Sequence, residues 1–62
     1  MSDKHMSIDE IKALRAALGL TQEDFAHRVG VTFASVNRWE NGHSVPSPLA
    51  VRRMREMQEV QQ

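Results

Sequence analysis

Sixty-two residues make one domain of about half the usual size, and a chain this short buries only about 60% of its unfolded surface. It has no cysteine, so disulfides and thiolate metal sites are excluded, while 40% hydrophobic and 26% charged residues fit a globular domain and not a disordered tail. Eight basic and eight acidic residues cancel, which excludes the strong positive field of a general polyanion binder.

In chain order, Met1–Met6 has no apolar signal region, and His5-Met6 reads as a cloning remnant ahead of a natural start, so residues 1–6 are expected to be disordered or cloning-derived. Ser7 with Glu10 is a capping box, and Met6 and Ile11 stand at its hydrophobic staple positions. Ile8, Ile11, Leu14 and Leu18 then recur at helical spacing until Gly19, which predicts a helix over roughly 8–18.

Thr21 and Asp24 open a second helix, with Leu20 and Phe25 as staple, Phe25, Ala26 and Val29 as inner face, and Gly30 as stop. At roughly 22–29 it is too short to stand alone and must be held by packing. Thr32 caps a third helix, 33–41, that ends at Asn41-Gly42, with Val36 and Trp39 on one stripe and Phe33, Asn37 and Asn41 on another. His43 to Ser47 is a loop. Ser47-Pro48 begins a fourth helix, from 48 to 57–60, whose apolar set is Leu49, Ala50, Val51, Met54 and Met57. Residues 58–62 should fray. The fold class is all-α, a compact bundle of four short helices, or five if residues after Met57 supply another, with one domain over 7–57.

Charge is distributed unevenly. Residues 1–24 carry a net −2, residues 25–55 carry Arg28, Arg38, Arg52, Arg53 and Arg55 against Glu40 alone, net +4, and Glu56 and Glu59 make the end −2. The run Arg52, Arg53, Arg55 reads as a solvated face before it reads as a phosphate track. His5, His27 and His43 are too scattered to hold a metal, and no nucleophile–base pair or phosphate loop is present, so neither cofactor, metal nor enzyme activity is expected. No run of 18 apolar residues exists, which predicts no membrane partner and a cytoplasmic location.

The informative feature is the pair of short helices joined by Gly30-Val31-Thr32, over 22–41. A helix-turn-helix needs a small residue where the helices touch, a glycine at the turn and apolar residues toward the core. Ala26, Gly30 and the set Phe25, Val29, Val31, Val36 and Trp39 meet each demand at its position.

The segment Leu18 to Gly42, LGLTQEDFAHRVGVTFASVNRWENG, resembles the Cro/lambda-repressor-type (XRE) helix-turn-helix family. The resemblance covers roughly 8–57. It implies a lambda-repressor-like bundle and a sequence-specific DNA-binding transcriptional regulator, a repressor, acting on double-stranded DNA as a homodimer. It places Phe33, Ala34, Asn37 and Arg38 at base-facing positions, with Phe33 a departure from the polar residues commoner there. Gln22, Thr32, Asn41, His43 and Ser44 fall at DNA backbone contacts, and Arg15 with Glu40 at a structural ion pair. Arg38 is suited to guanine, Asn37 to adenine, and Phe33 with Ala34 to thymine methyl groups. The ending Trp-Glu-Asn-Gly-x-x-x-Pro-Ser also resembles small antitoxins, so the alternative is an antitoxin that binds a toxin protein and represses its own operon.

Overall fold

The computed structural model describes residues 5–61, with side chains described through Glu59. Four helices follow in order: α1 (Ile8–Leu18), α2 (Gln22–Val29), α3 (Phe33–Glu40) and α4 (Pro48–Gln61). Each starts where a side chain can satisfy a free backbone N–H. Ser7 and Glu10 exchange reciprocal bonds of 3.1 and 3.0 Å, and Thr21, Thr32 and Ser47 accept from Asp24, Ser35 and Ala50 respectively.

Helix α3 packs on α2 and α1, and α4 packs on α1 and α2. Between them lies one core: Met6, Ile11, Leu14, Phe25, Ala26, Val29, Val36, Trp39, Ala50, Val51 and Met54, with Leu18, Leu20, Val31 and Met57 packed against it. The helix-turn-helix set is therefore core, and Trp39 is structural.

Several expectations are corrected. Leu49 is 59% exposed. At about 100° per residue, Ala50, Val51, Met54 and Met57 form one stripe, and Leu49 falls about 130° from its centre. The expected loop over 43–47 is present, and Pro46 within it is buried. Helix α3 ends at Glu40 and not at 41, because Asn41 is already the cap. Helix α4 ends at Gln61, past the 57–60 expected for it, where neither glycine nor proline stops it. At the other end, residues 1–4 of the segment expected to be disordered or cloning-derived lie outside the described residues. Met6 belongs to the core, and Arg55 Nη2 donates to the His5 carbonyl at 3.0 Å, so residues 5 and 6 are tied to the bundle. Arg55 also pairs with Glu10 at 3.0 Å, which makes it a latch between α4 and the start of α1 and separates it from Arg52 and Arg53.

Candidate nucleic-acid interface

The turn between α2 and α3 sets the site. Gly30, at φ 87°, lets its own N–H and that of Val31 both return to the Ala26 carbonyl, at 2.8 and 2.9 Å. That closes α2 and redirects the chain into α3 within two residues. Burial of Val36 and Trp39 then fixes the rotation of α3. The opposite side faces outward: Phe33 is 50% exposed, and Ala34, Arg38 and Asn41 are exposed. Phe33 therefore does not cover the turn as core. Arg38 takes part in neither ion pair found among the described residues.

Behind this face lies a polar network. Arg15 grips the Glu40 carboxylate with two bonds, Nε to Oε2 at 2.8 Å and Nη2 to Oε1 at 3.0 Å, and its Nη1 donates to the Leu20 carbonyl at 3.1 Å. One guanidinium thus ties the end of α1, the α1–α2 corner and the end of α3. Gln22 Nε2 donates to Glu40 Oε1 at 3.1 Å, and Asn37 Nδ2 donates to Gln22 Oε1 at 3.2 Å. Asn41 Nδ2 donates to the carbonyl of Asn37 at 2.9 Å and to its Oδ1 at 3.1 Å. Burial pushes the Glu40 carboxyl up. The hydrogen bonds from Arg15 and Gln22, with the positive charges of Arg15 and Lys12, outweigh it and hold the group below its ordinary value. The same hydrogen bond to Glu40 raises Arg15 above its ordinary value.

Of the residues the sequence singles out, Phe33, Ala34, Asn37 and Arg38 share the outer side of α3, and Gln22 at the start of α2 touches that side through Asn37. Thr32 is exposed at the α3 cap, where its hydroxyl pairs with that of Ser35 at 2.9 Å. His43 and Ser44 are exposed in the following loop, with the His43 N–H returning to the Arg38 carbonyl at 2.9 Å. The expected Arg15–Glu40 pair is present. What sequence reasoning missed is the coupling of Gln22 to Glu40 and of Asn37 to both Gln22 and Asn41. The i, i+4 spacing of Asn37 and Asn41 was the visible half of that signal.

A bundle built this way, with one short helix exposed across a tight turn from another, defines the helix-turn-helix class. The sequence profile described as helix-turn-helix matches residues 11–60, and the chain belongs to that family in its Cro/lambda-repressor-type (XRE) form. The chain is similar to an uncharacterized HTH-type transcriptional regulator, YiaG, of Escherichia coli K12, with 36% identity over 58 residues. The same-named proteins of Escherichia coli strains O6:H1 and O157:H7 match equally. The match takes in 94% of this chain but 60% of each relative's length. No helix of the described residues is long and apolar enough to cross a membrane.

Proposed function

We propose that this chain is the DNA-reading domain of a transcriptional regulator, a repressor, that places α3 in the major groove. The observation that carries the reading is the outward side of α3, where Phe33, Ala34 and Arg38 stand free of the core on a helix locked by the turn and by Glu40. A helix is about 10–12 Å across with its side chains, and the major groove is about 12 Å wide. A body of 27 × 25 × 19 Å can lay such a surface helix into it. Arg38 offers a two-pronged donor to guanine, and Phe33 with Ala34 offers apolar contact to thymine methyl groups. Gln22, Thr32, Asn41, His43 and Ser44 hold the sugar-phosphate backbone. One module reads only a few base pairs, each giving about 1–3 kcal/mol of discrimination, so the working unit on DNA is a dimer.

Selection from a pool of random duplexes tests this directly. In the selected duplex, Arg38→Ala should cost about 1–3 kcal/mol and relax the preference at one base pair per half-site. Gln22→Ala should instead weaken selected and scrambled duplexes alike. If Arg38→Ala lowers both equally while the fold is intact, Arg38 is a backbone contact and the reading face is misassigned.

A second reading is an antitoxin that binds a toxin protein and represses its own operon. It is favoured by two exposed apolar side chains that follow the Trp-Glu-Asn-Gly segment, Val45 in the loop at 78% and Leu49 at the start of α4 at 59%. Co-purification with a small ribonuclease-like protein from a neighbouring reading frame separates it from a stand-alone regulator.

A further inference from the structure

The polar network runs in one direction. At one end, a carboxylate only accepts, so the Gln22 atom bonded to Glu40 is its nitrogen. Gln22 then presents oxygen to Asn37, which must donate. At the other end a main-chain carbonyl only accepts, so Asn41 presents nitrogen, and the Asn37 atom facing it is oxygen. The two ends therefore fix all three amides independently and agree. Every bond points from Asn41 through Asn37 and Gln22 to the Glu40 carboxylate, which Arg15 holds charged from the far side. Bonds aligned this way polarise one another, and the last one ends on an anion.

Asn37 is the middle link, and it is half-buried beside three exposed neighbours on the same face. Pairing with adenine requires its nitrogen to donate and its oxygen to accept toward one base edge. Here one N–H goes to Gln22 at the start of α2 and the oxygen accepts from Asn41 at the α3 cap, so two neighbours fix the plane of the amide. Turning the amide to a base would release both.

We propose that Asn37 is a positioning residue, which holds the Gln22 and Asn41 side chains in one frame tied to Glu40 and does not itself read a base. The inference rests on the DNA-binding reading above, since Gln22 and Asn41 matter as backbone contacts. Pre-set side chains lose less freedom on binding, and both stand on a single frame. Replacing Asn37 removes that advantage for every sequence alike.

The test uses the duplex selected by the wild-type chain and a scrambled one. Asn37→Ala should weaken both by the same factor, about 3- to 10-fold, with the base preference unchanged. Gln22→Ala should cost clearly less in the Asn37→Ala background than alone, because the two act through one chain. In the free protein, NMR should show exchange-protected side-chain amide signals for Gln22 and Asn41. Asn37→Ala should weaken the protection of both without abolishing it, since Gln22 still donates to Glu40 and Asn41 to the main-chain carbonyl at 37, whereas Asn37→Asp should keep that of Asn41 and weaken that of Gln22. A shift of preference at one base pair, with additive loss from Gln22→Ala, would make Asn37 a base reader and overturn the inference alone. Amide signals unchanged in Asn37→Ala would also overturn it. If the wild-type chain selects no duplex at all, the DNA reading falls and the role of Asn37 falls with it.

Discussion

At the scale of single residues, Glu40 governs more than any other side chain. Its side chain is 4% exposed, and the Arg15 side chain opposite it 27% exposed. Removing one partner of a buried pair strands the other, at about 3–5 kcal/mol when both are fully enclosed. Arg15 retains some contact with water and Gln22 still donates to the carboxylate, so Arg15→Ala should cost about 2–4 kcal/mol. A domain of this size then melts roughly 10 °C or more lower. An unchanged melting temperature would show that the pair holds nothing together. The carboxyl also sets a pH dependence. Its folded value lies below the ordinary 4.5, so its stabilisation is complete above that value and is lost as pH falls through the lowered folded one. Glu10 contributes in the same sense, since the Ser7 N–H and Arg55 lower it too. Stability should therefore hold near neutral pH and decline below about pH 4.5. Glu40→Gln should be less stable at neutral pH and show a shallower decline, measured by denaturant titration at stepped pH. A decline as steep as that of wild type would assign the acid sensitivity to other groups.

At the scale of elements, the caps and turns were the legible part. Ser7, Thr21, Thr32 and Ser47 announce their helices because capping is local chemistry, settled within four residues. The ends of α3 and α4 were less legible because no local signal fixes them: Asn41 was expected inside α3 and is its cap, and α4 runs past the fading apolar pattern. Leu49 misled for a related reason, since hydrophobicity alone does not tell on which side of a stripe a residue falls. Pro46 and the links of Asn37 to Gln22 and Asn41 depend on where α2, α3 and the loop meet, which spacing along one helix does not reveal. The turn after α3 offers a test of this distinction. Gly42 sits at φ 77°, and a Cβ there would stand 3.3 Å from Ile8 Cδ1, whereas nothing lies within 4 Å at Gly19 or Gly30. All three glycines adopt the left-handed conformation, which costs another residue about 1–2 kcal/mol. Gly42→Ala should add a small displacement of the exposed Ile8 tip to that cost. It should melt below Gly19→Ala and Gly30→Ala, and Ile8→Val should narrow the gap. Equal melting for all three would mean that Ile8 yields freely.

At the scale of the whole molecule, electrostatics must reconcile a neutral chain with the polyanionic partner proposed for it. The positive charge of residues 25–55 is partly committed: Arg55 is bound to Glu10, while Arg28 and Arg53 border a shallow groove with Leu18, Glu56 and Met57. The side chains proposed for the backbone, Gln22, Thr32, Asn41 and Ser44, are uncharged donors that displace no counterion, and Arg38 is proposed for bases. Phosphate neutralisation is therefore left to the remaining cations, Lys12, Arg28, Arg52 and Arg53 among them, about 2–4 per subunit, and the slope of log affinity on log salt should be about −2 to −4 per subunit. Between about 50 and about 200 mM salt, one subunit then loses roughly 10- to 150-fold in affinity, a moderate dependence for a DNA binder. Affinity unchanged over that range would rule out this mode of binding. The same titration locates the charges that matter. Arg52→Ala or Arg53→Ala should each leave the slope as it is if α4 presents a solvated face. If either variant flattens the slope by about one unit, that arginine touches a phosphate and α4 lies along the DNA backbone.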